Sequence, residues 1–204
     1  MIAIIDYGVG NLFSLKSSFA VIGAEARVTA DPAQIHAADK ILLPGVGAFA
    51  DAAEKLGASG LADFLTDEVK AGKPLLGICL GMQLLFEKSY EYGEHAGLGL
   101  IPGVIRPNAD VIPAGLKIPH IGWNALHIER AHPLLKDVAE GSHVYFVHSY
   151  YAAGCAPATI ATTAYGAQLT AAVACGNVMG CQFHPEKSGG VGLSILRAFA
   201  EMRA

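Results

Sequence analysis

Cys79 lies between two glycines in Gly77-Ile78-Cys79-Leu80-Gly81, and His184-Pro185-Glu186 stands near the end of the chain. Together they offer a thiol nucleophile, an imidazole base and a carboxylate to orient that base. The run Pro74-Leu75-Leu76-Gly77-Ile78 reads as a short buried strand, and Met82-Gln83-Leu84-Leu85-Phe86-Glu87 as the start of a helix. Cys79 therefore falls on a sharp strand-to-helix turn, the position a nucleophile elbow gives its reactive residue. The glycines allow a cramped backbone and leave room for a substrate beside the sulfur. A helix beginning behind Cys79 would favour thiolate and aim free N–H groups at a developing oxyanion. A lone cysteine among apolar residues is usually a small buried hydrophobe. The flanking glycines and the late His-Pro-Glu move the reading to catalysis.

The elements that must carry these residues alternate between strand and helix in the first half. Ile2–Ile5, Ala26–Thr29 and Lys40–Leu43 read as strands. Asn11 is placed to cap a helix whose Leu12, Leu15, Phe19 and Ile22 share one face, with Gly23 as its stop. Asp31-Pro32 starts another helix, and Leu61–Ala71 is helical up to Gly72. From Ile101 onward the pattern changes to β-branched and aromatic runs: His143–Tyr151, Thr159–Ala164 and Thr170–Cys175. Gly176-Asn177 reads as a tight hairpin and Val178–Phe183 as the return strand that delivers His184. Gly192–Met202 closes the chain as an amphipathic helix. These elements predict an α/β fold: a mainly parallel central sheet, an antiparallel extension, and helices on both faces. Such sheets bind ligands beyond the carboxyl ends of their strands, where Cys79, Pro44-Gly45-Val46-Gly47 and His184 all fall.

Composition narrows the function. The chain has 204 residues, few of them charged, and a net charge of −4. That suits one domain with a sizeable core. Without Lys or Arg runs there is no support for nucleic-acid binding. No apolar stretch is long enough to span a membrane, and the chain begins with a strand rather than a basic signal region. The 4 cysteines, Cys79, Cys155, Cys175 and Cys181, form no C-x-x-C pair. A cytoplasmic protein with reduced thiols is expected, with Cys155, Cys175 and Cys181 as buried or half-buried strand residues. His36, His95, His127, His132 and His143 show no spacing that suggests a metal site. Gly8-Val9-Gly10 lacks the rest of a dinucleotide fingerprint. No metal and no cofactor are expected.

On Gly77–Gln83 and His184-Pro185-Glu186, the chain resembles the class I glutamine amidotransferases. The resemblance implies their flavodoxin-like fold and one amidotransferase domain over residues 1–204. It also implies a Cys79–His184–Glu186 triad that hydrolyses glutamine through a γ-glutamyl thioester. Five further blocks sharpen it: Asp6–Asn11, Pro44–Phe49, Pro119–Asn124, Tyr145–Tyr150 and Gln182–Ser188. They are similar to a branch that passes ammonia to a separate (β/α)8-barrel cyclase subunit in histidine biosynthesis. Carried onto this sequence, the branch places oxyanion donors at Leu80 and in Gly45, Val46 and Gly47. By itself that segment reads as an ordinary strand-ending turn. Gln83, one helical turn after Cys79, would help hold the substrate glutamine. Glu91 would meet its amino group, and the backbone of Ser149 and Tyr150 its carboxylate; Glu91 alone reads equally as a solvated charge. Asn11, His120, Trp123, Asn124, Tyr145 and Lys187 would face the partner or gate the ammonia path. Alone, Trp123 reads as core or interface and Lys187 as a surface charge.

Three alternatives stay open at this level. Another class I amidotransferase subunit could serve a different synthase, although Pro44–Gly47 and Trp123 argue against it. A cysteine peptidase on a similar scaffold would respond to peptide-directed reagents rather than glutamine analogues. A non-catalytic subunit would have no need of Cys79, His184 and Glu186 together.

Overall fold

The computed structural model describes residues 1–202; the last two residues of the domain expected over 1–204, Arg203 and Ala204, lie outside the described residues. The first half runs β1 (Ile2–Ile5), α1 (Leu12–Val21), β2 (Ala26–Thr29), α2 (Pro32–Ala37), β3 (Lys40–Leu43), α3 (Phe49–Ala58), α4 (Leu61–Lys70), β4 (Leu75–Ile78) and α5 (Leu80–Gln83). Then follow β5 (Phe86–Ser89), β6 (His95–Ala96), β7 (Ile101–Pro107), β8 (His120–Ala125), β9 (His127–Ile128), β10 (His143–His148) and β11 (Tyr150–Ala153). The chain closes with β12 (Thr159–Ala164), β13 (Gln168–Cys175), β14 (Val178–Cys181) and α6 (Gly189–Glu201).

The central sheet has the order β2-β1-β3-β4-β14-β13-β12-β9. Its first five strands are parallel, and β13, β12 and β9 extend it antiparallel. Strands β1, β3, β4 and β14 are buried at every position, as parallel strands covered on both faces must be. Side-chain alternation divides their apolar residues between two cores. Ala3, Ile5, Ile41 and Leu43 meet α2, α3 and α4 through Ile35, Phe49, Leu56 and Leu65. Ile2, Ile4, Leu42 and Leu76 meet α1 and α6 through Leu15, Phe19, Ile195 and Phe199. No helix among the described residues is long and apolar enough to cross a membrane.

The expected architecture is present, with corrections at its edges. Asn11 caps α1, its Oδ1 accepting from Ser14 N at 3.3 Å. The helix expected after Cys79 is a single turn, because Phe86 pairs with Ile101 in a parallel ladder. Leu98 N and Leu100 N donate to the carbonyls of Leu84 and Leu85, both at 2.8 Å, so those carbonyls are taken by a distant segment. The His143–Tyr151 run breaks at Ser149 into β10 and β11, which belong to different sheets. One is β10-β8 and the other β11-β7-β5-β6; neither small sheet was predicted, nor was α3. The return strand ends at Cys181, and α6 begins at Gly189 rather than Gly192.

Candidate active site

Strands β3, β4 and β14 are neighbours, with Leu43 opposite Gly77 and Cys181 opposite Ile78. Their carboxyl ends therefore bring Pro44–Gly47, Cys79 and Gln182–Glu186 to one place. Cys79 stands at φ 53°, ψ −112°, a left-handed conformation that a side chain adopts only under constraint. The constraint is packing. A Cβ on Gly81 would come within 1.9 Å of the Leu43 carbonyl oxygen, and one on Gly77 within 2.7 Å of Met82 backbone. Cys79 N donates to the Cys181 carbonyl at 2.8 Å and ties the elbow to β14.

His184 is fixed through its own backbone. Its N–H donates to the Tyr145 carbonyl at 2.9 Å, and Ser188 Oγ donates to its carbonyl at 2.6 Å. Its Nδ1 donates to Glu186 Oε1 at 2.8 Å; the two side chains are 3% and 1% exposed. Burial alone would lower the proton affinity of His184. Hydrogen bonding and charge interaction with Cys79 and Glu186 outweigh it and raise the pKa to about 9. Glu186 Oε2 is buried without a hydrogen-bond partner among the described residues, so His184 is the side chain this carboxylate engages.

A cavity of 740 Å³ opens beside Cys79 and His184, lined also by Val46, Gly47, Leu80, Gln83, Glu91, Ser149, Tyr150 and Lys187. The residues expected to hold substrate thus line one cavity with Cys79 and His184. Glu91 is 9% exposed, which decides against a solvated charge. Its Oε2 accepts from Phe49 N at 2.6 Å, while burial holds its pKa above the usual carboxylate range. Gln83 Nε2 donates to Gln182 Oε1 at 3.0 Å and to the Tyr150 carbonyl at 3.3 Å. The Gly45 carbonyl accepts from Leu80 N at 3.3 Å, so one expected oxyanion donor is engaged internally in this conformation.

Trp123 and Tyr145 meet edge to face at 6.0 Å, and Lys187 Nζ lies 5.7 Å from the Tyr145 ring centre. Trp123 and Ile121 are 53% and 57% exposed on the outer face of β8. His120, by contrast, is completely buried beneath that face, and Asn124 accepts from it. Asn11 spends its side chain on the α1 cap. Three residues of the site went unassigned in the sequence. Tyr7 donates to the Pro44 carbonyl at 2.7 Å, its hydroxyl proton held by burial and by the nearby Cys79. Gln182 Nε2 lies 3.8 Å from Cys79 Sγ. His148 enters the cavity wall from β10, where alternation with Val144 and Phe146 was the available signal. Of the other cysteines, Cys155 and Cys181 are buried but Cys175 is exposed, contrary to expectation; burial, then the Glu186 charge, pushes the Cys181 thiol pKa upward.

The site thus gathers a thiol, an imidazole and a carboxylate at the carboxyl edge of a parallel sheet. The profile of the family "Glutamine amidotransferase class-I" matches residues 3–202, and the chain belongs to that family. It is 50% identical over 206 residues to the imidazole glycerol phosphate synthase subunit HisH of Syntrophotalea carbinolica, covering 99% of this chain and 100% of the relative. It is 48% identical to the HisH subunit of Caldanaerobacter subterraneus subsp. tengcongensis, covering 99% of this chain and 98% of that one. Among solved structures, a crystal structure of a glutamine amidotransferase superposes with a TM-score of 0.76 at 20% identity, with 98% of both chains covered. That likeness concerns the fold.

Proposed function

We infer that this chain is the glutaminase subunit of an imidazole glycerol phosphate synthase, hydrolysing glutamine to glutamate and ammonia in histidine biosynthesis. The observation that carries the inference is full-length identity of 50% to a HisH subunit.

In the mechanism, His184 accepts the Cys79 thiol proton, and its high proton affinity supports that role. Cys79 Sγ then forms a bond to the side-chain amide carbon of glutamine, and the carbonyl electron pair moves onto oxygen. His184 returns the proton to the amide nitrogen as the C–N bond breaks, and ammonia leaves. Water, deprotonated by His184, attacks the thioester; the C–S bond breaks, His184 returns the proton to the Cys79 sulfur, and glutamate departs. Glu186 holds His184 with Nδ1 protonated, so that Nε2 faces the thiol.

The tetrahedral oxygen needs N–H donors. Leu80 N becomes available once the Gly45 carbonyl withdraws. Rotation of the Gly45–Val46 peptide would remove that carbonyl and turn Val46 N–H toward the pocket in one movement. The internal Leu80–Gly45 bond supports a slow enzyme until a partner shifts this segment. Gln83, Glu91 and the Ser149–Tyr150 backbone complete the glutamine site.

The partner is a separate (β/α)8-barrel cyclase subunit, docking on the face that carries Trp123, Tyr145 and Lys187. Exposed Val46 and Ile118 at the pocket, with Ile121 and Trp123, give that face the apolar character of an interface. A shielded path matters because ammonia released to water is protonated and stops being a nucleophile. The cyclase would use it to form imidazole glycerol phosphate and an aminoimidazole carboxamide ribonucleotide. The cytoplasm is the compartment proposed for this work.

Substitution of Cys79→Ala tests the assignment. Glutamate release is expected to vanish while the circular dichroism spectrum stays unchanged; surviving hydrolysis would remove Cys79 from the mechanism.

A further inference from the structure

Leading back from the wall of the glutamine pocket is a chain of side chains with no place in the triad: buried His148 and His120, then half-buried Asn124. Asn124 Nδ2 donates to the Ala164 carbonyl at 3.1 Å, which fixes the amide and turns Oδ1 toward His120 Nε2, 2.9 Å away. His120 Nδ1 and His148 Nε2 are 3.0 Å apart. His148 Nδ1 lies 2.8 Å from the Tyr150 carbonyl oxygen. The His120 ring is stacked between Tyr165 and Phe146, with ring centres at 4.1 and 4.9 Å.

Both ends of this chain, Asn124 Oδ1 and the Tyr150 carbonyl, can only accept. Three links therefore require three protons, whereas two neutral imidazoles carry two. One link is left with lone pair facing lone pair unless an additional proton is bound. Burial opposes that proton. It pulls the His148 pKa down to about 4, with the His120 and His184 charges adding to the effect, and it lowers that of His120 too. The other charged groups on the pocket wall near His148 are Glu91 and Lys187. Tyr165 faces His120 with its hydroxyl committed to the Lys117 carbonyl at 2.8 Å.

The Tyr150 end meets the substrate wall. Asn108 Nδ2 donates to the His148 carbonyl at 3.1 Å, and Asn108 N donates to the Ser149 carbonyl at 2.8 Å. With the Tyr150 carbonyl held by His148, three consecutive carbonyls are all engaged by the protein's own donors. Ser149 lines the cavity, and its N–H makes no hydrogen bond among the described residues.

We propose that Asn124, His120 and His148 form a positioning relay, one proton short of complete, that holds the Tyr150 carbonyl and so presents the Ser149–Tyr150 backbone to the substrate carboxylate. The inference rests on the reading of Ser149–Tyr150 as the carboxylate site. His120 lies behind the cavity and His148 forms part of its wall; the role assigned to both is to act through Tyr150. The far end of the relay belongs to β8, whose opposite face exposes Ile121 and Trp123.

The test uses the chain in complex with its partner subunit and two substrates: L-glutamine, and 4-aminobutanamide, which is glutamine without its α-carboxylate. Replacing His148→Leu removes the shorter of two contacts to the Tyr150 carbonyl, leaving Gln83 Nε2 at 3.3 Å, and is expected to raise KM for glutamine by up to about tenfold, the worth of one buried hydrogen bond. kcat for glutamine and turnover of 4-aminobutanamide should stay near wild type. His148→Asn, whose Nδ2 can overlay the imidazole Nδ1, should restore most of the lost KM. Equal losses for both substrates, or no rescue by asparagine, would overturn the positioning role. If the wild type fails to distinguish the two substrates, the carboxylate reading falls and the relay's function with it. The missing proton is tested without any variant. Nitrogen-15 spectra of the histidine rings at neutral pH should show His120 and His148 both uncharged, whereas Asn124→Asp should yield one charged ring. A charged ring in the wild type would overturn the proton deficit.

Discussion

Two glycine turns meet across the pocket and do opposite work. In the Gly77–Gly81 elbow, a Cβ on either glycine would collide with backbone, at 2.7 and 1.9 Å respectively. In Pro44–Gly47, a Cβ on Gly47 would find nothing within 4 Å, although φ there is +101°. The first turn is jammed and holds the strained Cys79 backbone still. The second is anchored at Pro44 by Tyr7 and close-packed at Gly45, then opens to solvent at Val46, which is 43% exposed. Rigidity is concentrated around Cys79, and freedom is left at Val46 and Gly47.

The sharpest way to break this contrast is Gly81→Ala. With the Leu43 carbonyl in the way, it should cost more than about 3 kcal/mol, read as a large loss of urea midpoint. A near-neutral result would show that the elbow yields.

Glu186→Gln tests how firmly His184 is held. His184 has its pKa raised from 6.5 to about 9, so its protonation stabilises the fold fully below about pH 6.5, and this contribution is lost as pH rises through 9. The stability gap between wild type and Glu186→Gln should be widest near pH 6, on the order of 3 kcal/mol at most, and should narrow above pH 9. A gap that grows with pH would contradict the buried ion pair.

Gly47→Ala should have the smallest effect on stability, about 1 kcal/mol from the positive φ alone. Its partner-stimulated glutamine turnover should fall well beyond what that loss explains. Full turnover would mean that Gly47 has no part in freeing the Leu80 N–H.

The same contrast explains what the sequence made legible. The elbow was readable because its requirements are local: glycine spacing, an apolar strand, and a cysteine between them. The Asn11 cap and the Gly176-Asn177 hairpin were readable for the same reason. The helix after Cys79 was overread because its apolar pattern is helical, while the Leu84 and Leu85 carbonyls are claimed by residues 98–101. The break at Ser149 was hidden in a continuous β-prone run and is imposed by Asn108, whose side chain and backbone take the carbonyls on either side. His148 stood inside a recognised block, but its partner His120 is 28 residues away, and no local pattern joins them. Glu91 could not be separated from a solvated charge until α3 was seen to supply Phe49 N.

The most direct measurement is glutamate release from glutamine by the chain alone, then with a barrel cyclase subunit and its nucleotide ligand. The expected result is slow hydrolysis by the chain alone and strong stimulation by subunit and ligand together, as the Gly45 carbonyl leaves Leu80 N. Rapid hydrolysis by the isolated chain, or no stimulation in the complex, would contradict a glutaminase held back until its partner is ready.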